Sequence, residues 1–135
     1  MSNDNLNRNP RIIIIQKLYG HHLNKSPEII IPKHKYKKFI KNVVNGTIER
    51  KELIQDFMNK VLKNDINENK TELMIKLMIM AAIYEFMFMH KTPIKVIISE
   101  YLKVAESFIK PSQKNFLNAI LDKASKISRD VHVTN

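Results

Sequence analysis

The chain contains no cysteine, which excludes a disulfide framework, a thiolate nucleophile and any cysteine-based zinc site. Only two of its 135 residues are glycine, so no glycine-rich loop is available to cradle a phosphate. The early apolar run at residues 12–15 is too short for a secretory signal and gives way to Gln16 and Lys17. No apolar stretch reaches the roughly 20 residues that a membrane-crossing helix needs. These absences fit a reducing cytoplasm, and a cytoplasmic protein without membrane contact is expected. Metal-ligand spacing is also missing: His21-His22, His34, His90 and His132 form no helical His-x-x-x-His pair. Glu85 and Glu100 fall on different apolar stretches, where paired, partly buried glutamates are the commoner arrangement. No catalytic residue, metal or cofactor is expected.

What is present starts with residues 73–89, which carry only two charges, Lys76 and Glu85. A helix that is apolar all round must be buried all round, so this stretch is read as a central core helix. Thr71 is its expected N-cap, and Thr92-Pro93 resets the chain after it. The other segments supply stripes to pack on it. Asn9-Pro10 opens a helix to about residue 23, burying Ile12, Ile15, Leu18, Tyr19 and Leu23. Ser26-Pro27 and Pro32 forbid a helix between them, leaving residues 29–31 extended on the core. A second helix spans about 33–45, with Gly46 as its C-cap and Thr47 capping a third to about 62. Helices at about 93–108, and from Ser112 to about 127, complete six. The last has the stripe Phe116, Leu117, Ile120, Leu121, Ala124 and Ile127. With no convincing strand, the fold class is all-α. Residues 1–135 are read as one domain, with N-terminal helices over 9–63 and C-terminal helices over 71–128.

The net charge of +10 points to a polyanionic partner. Arg8 and Arg11 flank the opening of the first helix, where free amide groups and the positive dipole end favour phosphate. Lys33, Lys35, Lys37, Lys38 and Lys41 decorate the second helix. Lys110 and Lys114 flank the start of the last, close in sequence to Phe116. Cations holding phosphates beside an aromatic that stacks a base is the pattern used for single-stranded RNA. A lysine-rich solvated surface is the competing reading. The seven methionines are core or interface filler, and those near Met87 and Met89 are candidates for a homodimer contact.

Three blocks in the second half resemble the NusB transcription antitermination family. They are Ala82-Ile83-Tyr84-Glu85-Phe86, then Thr92-Pro93-Ile94-Lys95-Val96-Ile97-Ile98-Ser99-Glu100-Tyr101-Leu102, then Phe116-Leu117-Asn118-Ala119-Ile120-Leu121-Asp122-Lys123. They are similar, in order and nearly in spacing, to the family's Tyr-Glu-Leu, Pro-x-Lys-Val-x-Ile-Asn-Glu and Phe-Val-Asn-Gly-Val-Leu-Asp-Lys. Near the start, Pro10-Arg11 with Gln16-Lys17-Leu18-Tyr19 resembles the family's first helix. The resemblance implies a NusB-like helical bundle of two three-to-four-helix subdomains around the central helix. It also implies binding of the boxA segment of nascent RNA together with NusE, the small-subunit ribosomal protein. That assembly acts on RNA polymerase within an antitermination complex, notably in ribosomal RNA operons. Carried over by position, the RNA-facing residues are Arg8, Arg11, Gln16, Tyr19, Phe116 and Asn118, joined by Lys110 and Lys114 from the charge pattern.

Departures from the family pattern carry their own expectations. Its N-terminal arginine cluster is thinned here to Arg8 and Arg11, which predicts weaker RNA binding by this chain alone. Ile75 and Met80 stand where members often carry an acid and an arginine, which bears on NusE contact. Two alternatives compete: a helical protein–protein adaptor without RNA binding, and a detached NusB-like domain of an RNA methyltransferase. The second needs a nucleotide-binding domain that does not follow Asn135.

Overall fold

The computed structural model describes residues 9–24, 29–66 and 71–134, with side chains to residue 129. Arg8, expected at the RNA surface, lies outside the described residues. Six helices follow in order: α1 (Pro10–Asn24), α2 (Lys37–Glu49), α3 (Lys51–Val61), α4 (Leu73–Phe88), α5 (Ile94–Ala105) and α6 (Pro111–Thr134). Among the described residues there is no strand, and the fold is all-α. None of the described helices is long and apolar enough to cross a membrane.

Helix α4 is the hub and touches each of the other five. Every residue of 77–87 is buried, as an all-round apolar helix requires. Met87 is therefore core, which corrects its expected place in an exposed dimer contact. Ile75 and Met80 are buried too. The expected Thr71 cap is also corrected: Glu72 occupies the N-cap and makes no side-chain capping bond.

Residues 29–31 are extended and alternate as such a segment should. Ile29 and Ile31 pack on the core, while Ile30 is 77% exposed. The expected break at Gly46-Thr47 does not occur, and α2 continues to Glu49. Gly46 is used for close approach instead of chain reversal: a Cβ built there would overlap the ring of Tyr84. The Tyr84 hydroxyl then donates to Asn42 Oδ1, one turn earlier on α2. The turn into α3 falls at Arg50, whose N–H still bonds back to Gly46 O at 3.0 Å.

The opening of α1 follows its sequence signature. Asn9 Oδ1 accepts the N–H of Arg11 at 3.0 Å, with Pro10 at the first helical position. The last helix starts on Pro111, and Gln113 Oε1 reaches back to the N–H of Lys110 at 3.0 Å. That is the return half of a capping box. Farther along α6, the Arg129 guanidinium closes the C-terminal end of α4. It donates to the carbonyls of Phe86 at 2.7 Å, Thr92 at 2.9 Å and Met89 at 3.3 Å. A cation there satisfies the orphan carbonyls and the negative end of the dipole together.

Candidate nucleic-acid interface

At the opening of α1, four consecutive isoleucines on an arginine form a segment buried on nearly all sides. Arg11 is carried inward with them. Its Nε donates to Glu85 Oε2 at 3.0 Å and its Nη2 to Glu85 Oε1 at 2.6 Å. Tyr101 donates its hydroxyl to the same carboxylate at 2.6 Å. The guanidinium also sits 4.8 Å from the Phe39 ring centroid. Side-chain exposure is 9% for Arg11 and zero for Glu85. This corrects the expectation that Arg11 faces RNA: a carboxylate buried in the central helix requires a buried cation, and Arg11 is that cation.

Electrostatics follow from the burial. Desolvation alone would lower the Arg11 pKa, but the hydrogen bond and charge of Glu85 outweigh it and raise the value. Burial, then the neighbouring Glu85 charge, pushes the Tyr101 hydroxyl well above its ordinary range. Tyr101 therefore stays protonated and serves as a donor.

Outside this network, a ridge of α5 leads from α1 toward the start of α6. Arg11 Nη1 stands 4.0 Å from Glu100 Oε1, and Glu100 Oε2 pairs with Lys103 at 3.2 Å. One turn on, Glu106 pairs with Lys114 of α6 at 2.6 Å. The Lys114 hydrogen bond, with Lys103 adding to it, holds the Glu106 carboxyl below its usual range. Lys95, Ser99, Lys103, Glu106 and Lys114 line a shallow groove here, with Ile98 and Leu102 as its apolar part.

The other expected residues divide around this groove. Lys110 and Asn118 are exposed, and Asn118 lies one turn beyond Lys114 on the same edge of α6. Phe116 is 36% exposed while its neighbour Leu117 is fully buried. This corrects its place in the core stripe: at 100° per residue it leaves α6 on the opposite edge from Lys114. Gln16 and Tyr19 share the outer face of α1, and Tyr19 and Leu23 are exposed instead of buried. The five lysines at 33, 35, 37, 38 and 41 are all exposed on and before α2.

The Arg11–Glu85–Tyr101 network and the Arg129 clamp escaped the sequence reading. A signal for the first was available, since Glu85 is the only acid in the apolar run 73–89 and Arg11 directly precedes four isoleucines. The Arg129 contacts join segments 40 residues apart and left no local pattern. Among the described residues, no three His, Asp or Glu side chains are grouped to hold a metal.

Fold and surface together define an all-α helical protein with, among the described residues, a buried Arg11–Glu85 charge pair and exposed lysines on its outer face. The family model of NusB matches residues 8–126, and the chain belongs to the NusB family. It is 25% identical over 89 residues to Transcription antitermination protein NusB of Mesorhizobium japonicum, covering 66% of this chain and 57% of that protein. It is 31% identical over 83 residues to the protein of that name from Rickettsia bellii, covering 62% and 53%. The chain thus spans little more than half the length of these relatives. The solved structure of T. maritima NusB superposes with a TM-score of 0.76 at 22% identity, covering 89% of this chain and 90% of that one, a likeness of fold.

Proposed function

We propose that this chain is a non-catalytic antitermination factor that binds a short single-stranded RNA of the boxA type jointly with NusE. Family membership supplies the class. The observation that carries the RNA reading is the α5 ridge, where Lys95, Lys103 and Lys114, with Glu106 among them, line one groove beside the start of α6. Phe116, exposed on the edge of α6 opposite Lys114, would stack a base only where the strand leaves the groove and crosses the start of α6. With Arg11 committed to Glu85, phosphate contact falls to surface lysines, so RNA affinity without the protein partner is low.

The test is fluorescence anisotropy with a labelled boxA-like RNA, with and without NusE, across a salt series. Binding is expected chiefly with NusE present. Lys103→Ala and Lys114→Ala should each flatten the log–log salt slope by about 0.7. Phe116→Ala should weaken binding by about 1–3 kcal/mol with an unchanged melting temperature. No RNA binding under either condition would leave the protein–protein adaptor as the better reading.

A further inference from the structure

Lys33, Lys35, Lys37, Lys38 and Lys41, on and just before the start of α2, are all exposed. Lys37 and Lys41 stand one turn apart with Lys38 beside them, so the three share one side of the helix within about 100°. Among the described residues, no ion pair involves any of the five. Lys103, Lys114, Lys123 and Lys126, by contrast, each hold an acid. The first turn of α2 has no acidic residue, and its N-cap Tyr36 makes no side-chain capping bond. Like charges one turn apart repel, and cations at the positive end of a helix are unfavourable. The arrangement therefore costs stability as it stands, and an anion laid over it relieves that cost. Tyr36, 48% exposed, stands among the lysines with Lys35 Nζ 5.5 Å from its ring centroid.

The patch and the α5 groove flank one guanidinium. Phe39, next to Lys38 in sequence, has its ring centroid 4.8 Å from the Arg11 guanidinium. Arg11 Nη1 is in turn 4.0 Å from Glu100, whose other oxygen holds Lys103 of the groove. We propose that the lysines of α2 are a second contact surface for the RNA, taking phosphates of the nucleotides that flank the segment in the α5 groove. This extension rests on the RNA reading of that groove. Each lysine is a point charge on a flexible stem, so the contact holds phosphates without reading bases. An exposed ring among lysines suits a single strand, whose bases are free to stack. No resident carboxylate has to be displaced from the α2 lysines, whereas Lys103 and Lys114 must exchange one partner for another.

Fluorescence anisotropy in the presence of NusE compares a boxA-like RNA with the same RNA extended at either end by about 6 uridines. One of the two extensions should tighten binding about tenfold and steepen the log–log salt slope by about 2, as three further phosphate contacts require. Lys37→Gln, Lys38→Gln and Lys41→Gln combined should abolish that gain and leave affinity for the unextended RNA unchanged. Lys37→Glu alone should reduce the gain while raising the melting temperature by about 2 °C, since an acid in the first turn suits the dipole. A merely solvated face would show the higher melting temperature without the loss of binding. The proposal is overturned if neither extension tightens binding or if the gain survives the triple variant. Tighter binding of phosphatidylserine vesicles or polyglutamate than of oligouridine, through the same three lysines, would overturn it as well. Should the unextended RNA fail to bind, the groove reading falls by itself, and an oligouridine of about 12 residues decides for the patch. Binding that the triple variant loses upholds the patch, and no binding overturns it.

Discussion

Replacing Arg11 with Met keeps the length of the side chain and removes its charge. Glu85 is then left with no exposure and only the Tyr101 hydroxyl as donor among its named partners. Removing one member of a buried, hydrogen-bonded ion pair costs about 3–5 kcal/mol, most of it the uncompensated charge. For a domain of this size that corresponds to a fall in melting temperature of roughly 10–20 °C. Exchanging both members for apolar residues, as in Arg11→Met with Glu85→Leu, should recover most of the loss, since a packed apolar pair is about as stable as the ions it replaces. Urea unfolding with the two single variants and the double closes the cycle, and a coupling energy of 2 kcal/mol or more is expected. If Arg11→Met instead unfolds within about 1 kcal/mol of the parent and loses RNA affinity, the guanidinium faces phosphate and the buried-pair account is wrong.

Gly46→Ala reverses the usual rule for an exposed helix interior, where Ala is favoured by about 1 kcal/mol. The new methyl meets the Tyr84 ring, so a loss of about 1–3 kcal/mol is expected by chemical denaturation, and stabilisation would show that the ring moves aside freely. Arg129→Ala should cost about 1.5–3 kcal/mol and speed hydrogen exchange at Met89 and Thr92, whose turn the guanidinium clamps; unchanged exchange would mean that the turn holds itself. The Tyr101 hydroxyl has a folded-state pKa raised by burial, so the folded protein binds its proton more tightly than the unfolded chain does. Its contribution is fully present below about pH 10 and is lost as pH rises above that; Tyr101→Phe should flatten this alkaline slope in urea midpoints, and an unaltered slope would assign it elsewhere.

The helices were legible because each carries an apolar period that only one core satisfies, and α4 was legible because it has no polar side at all. Asn9-Pro10 worked as a local signal because an N-cap needs only neighbours in sequence. Gly46 misled for the opposite reason: the same residue permits both a chain reversal and a close helix contact, and only the ring of Tyr84, 38 positions on, decides between them. Phe116 and Tyr19 sit at the borders of their stripes, where periodicity cannot say whether a ring turns inward. Arg11 was placed on the surface by its position at a helix opening. The overriding fact was that Glu85, from another helix, had to be neutralised.

That fact also ranks the cations by what they can give up. Arg11 answers a carboxylate that has no water to fall back on, so handing its guanidinium to a phosphate would strand a buried charge. Lys114 and Lys103 answer Glu106 and Glu100, whose side chains keep 61% and 27% exposure. Water can re-solvate those carboxylates when their lysines leave, and pairs of that kind are weakly held. A phosphate chain laid along α5 would therefore exchange one partner for another at Lys103 and Lys114 with little loss, while Arg11 stays where it is. On the proposed RNA reading, the affinity of this surface would reside in cations whose present partners are themselves wet.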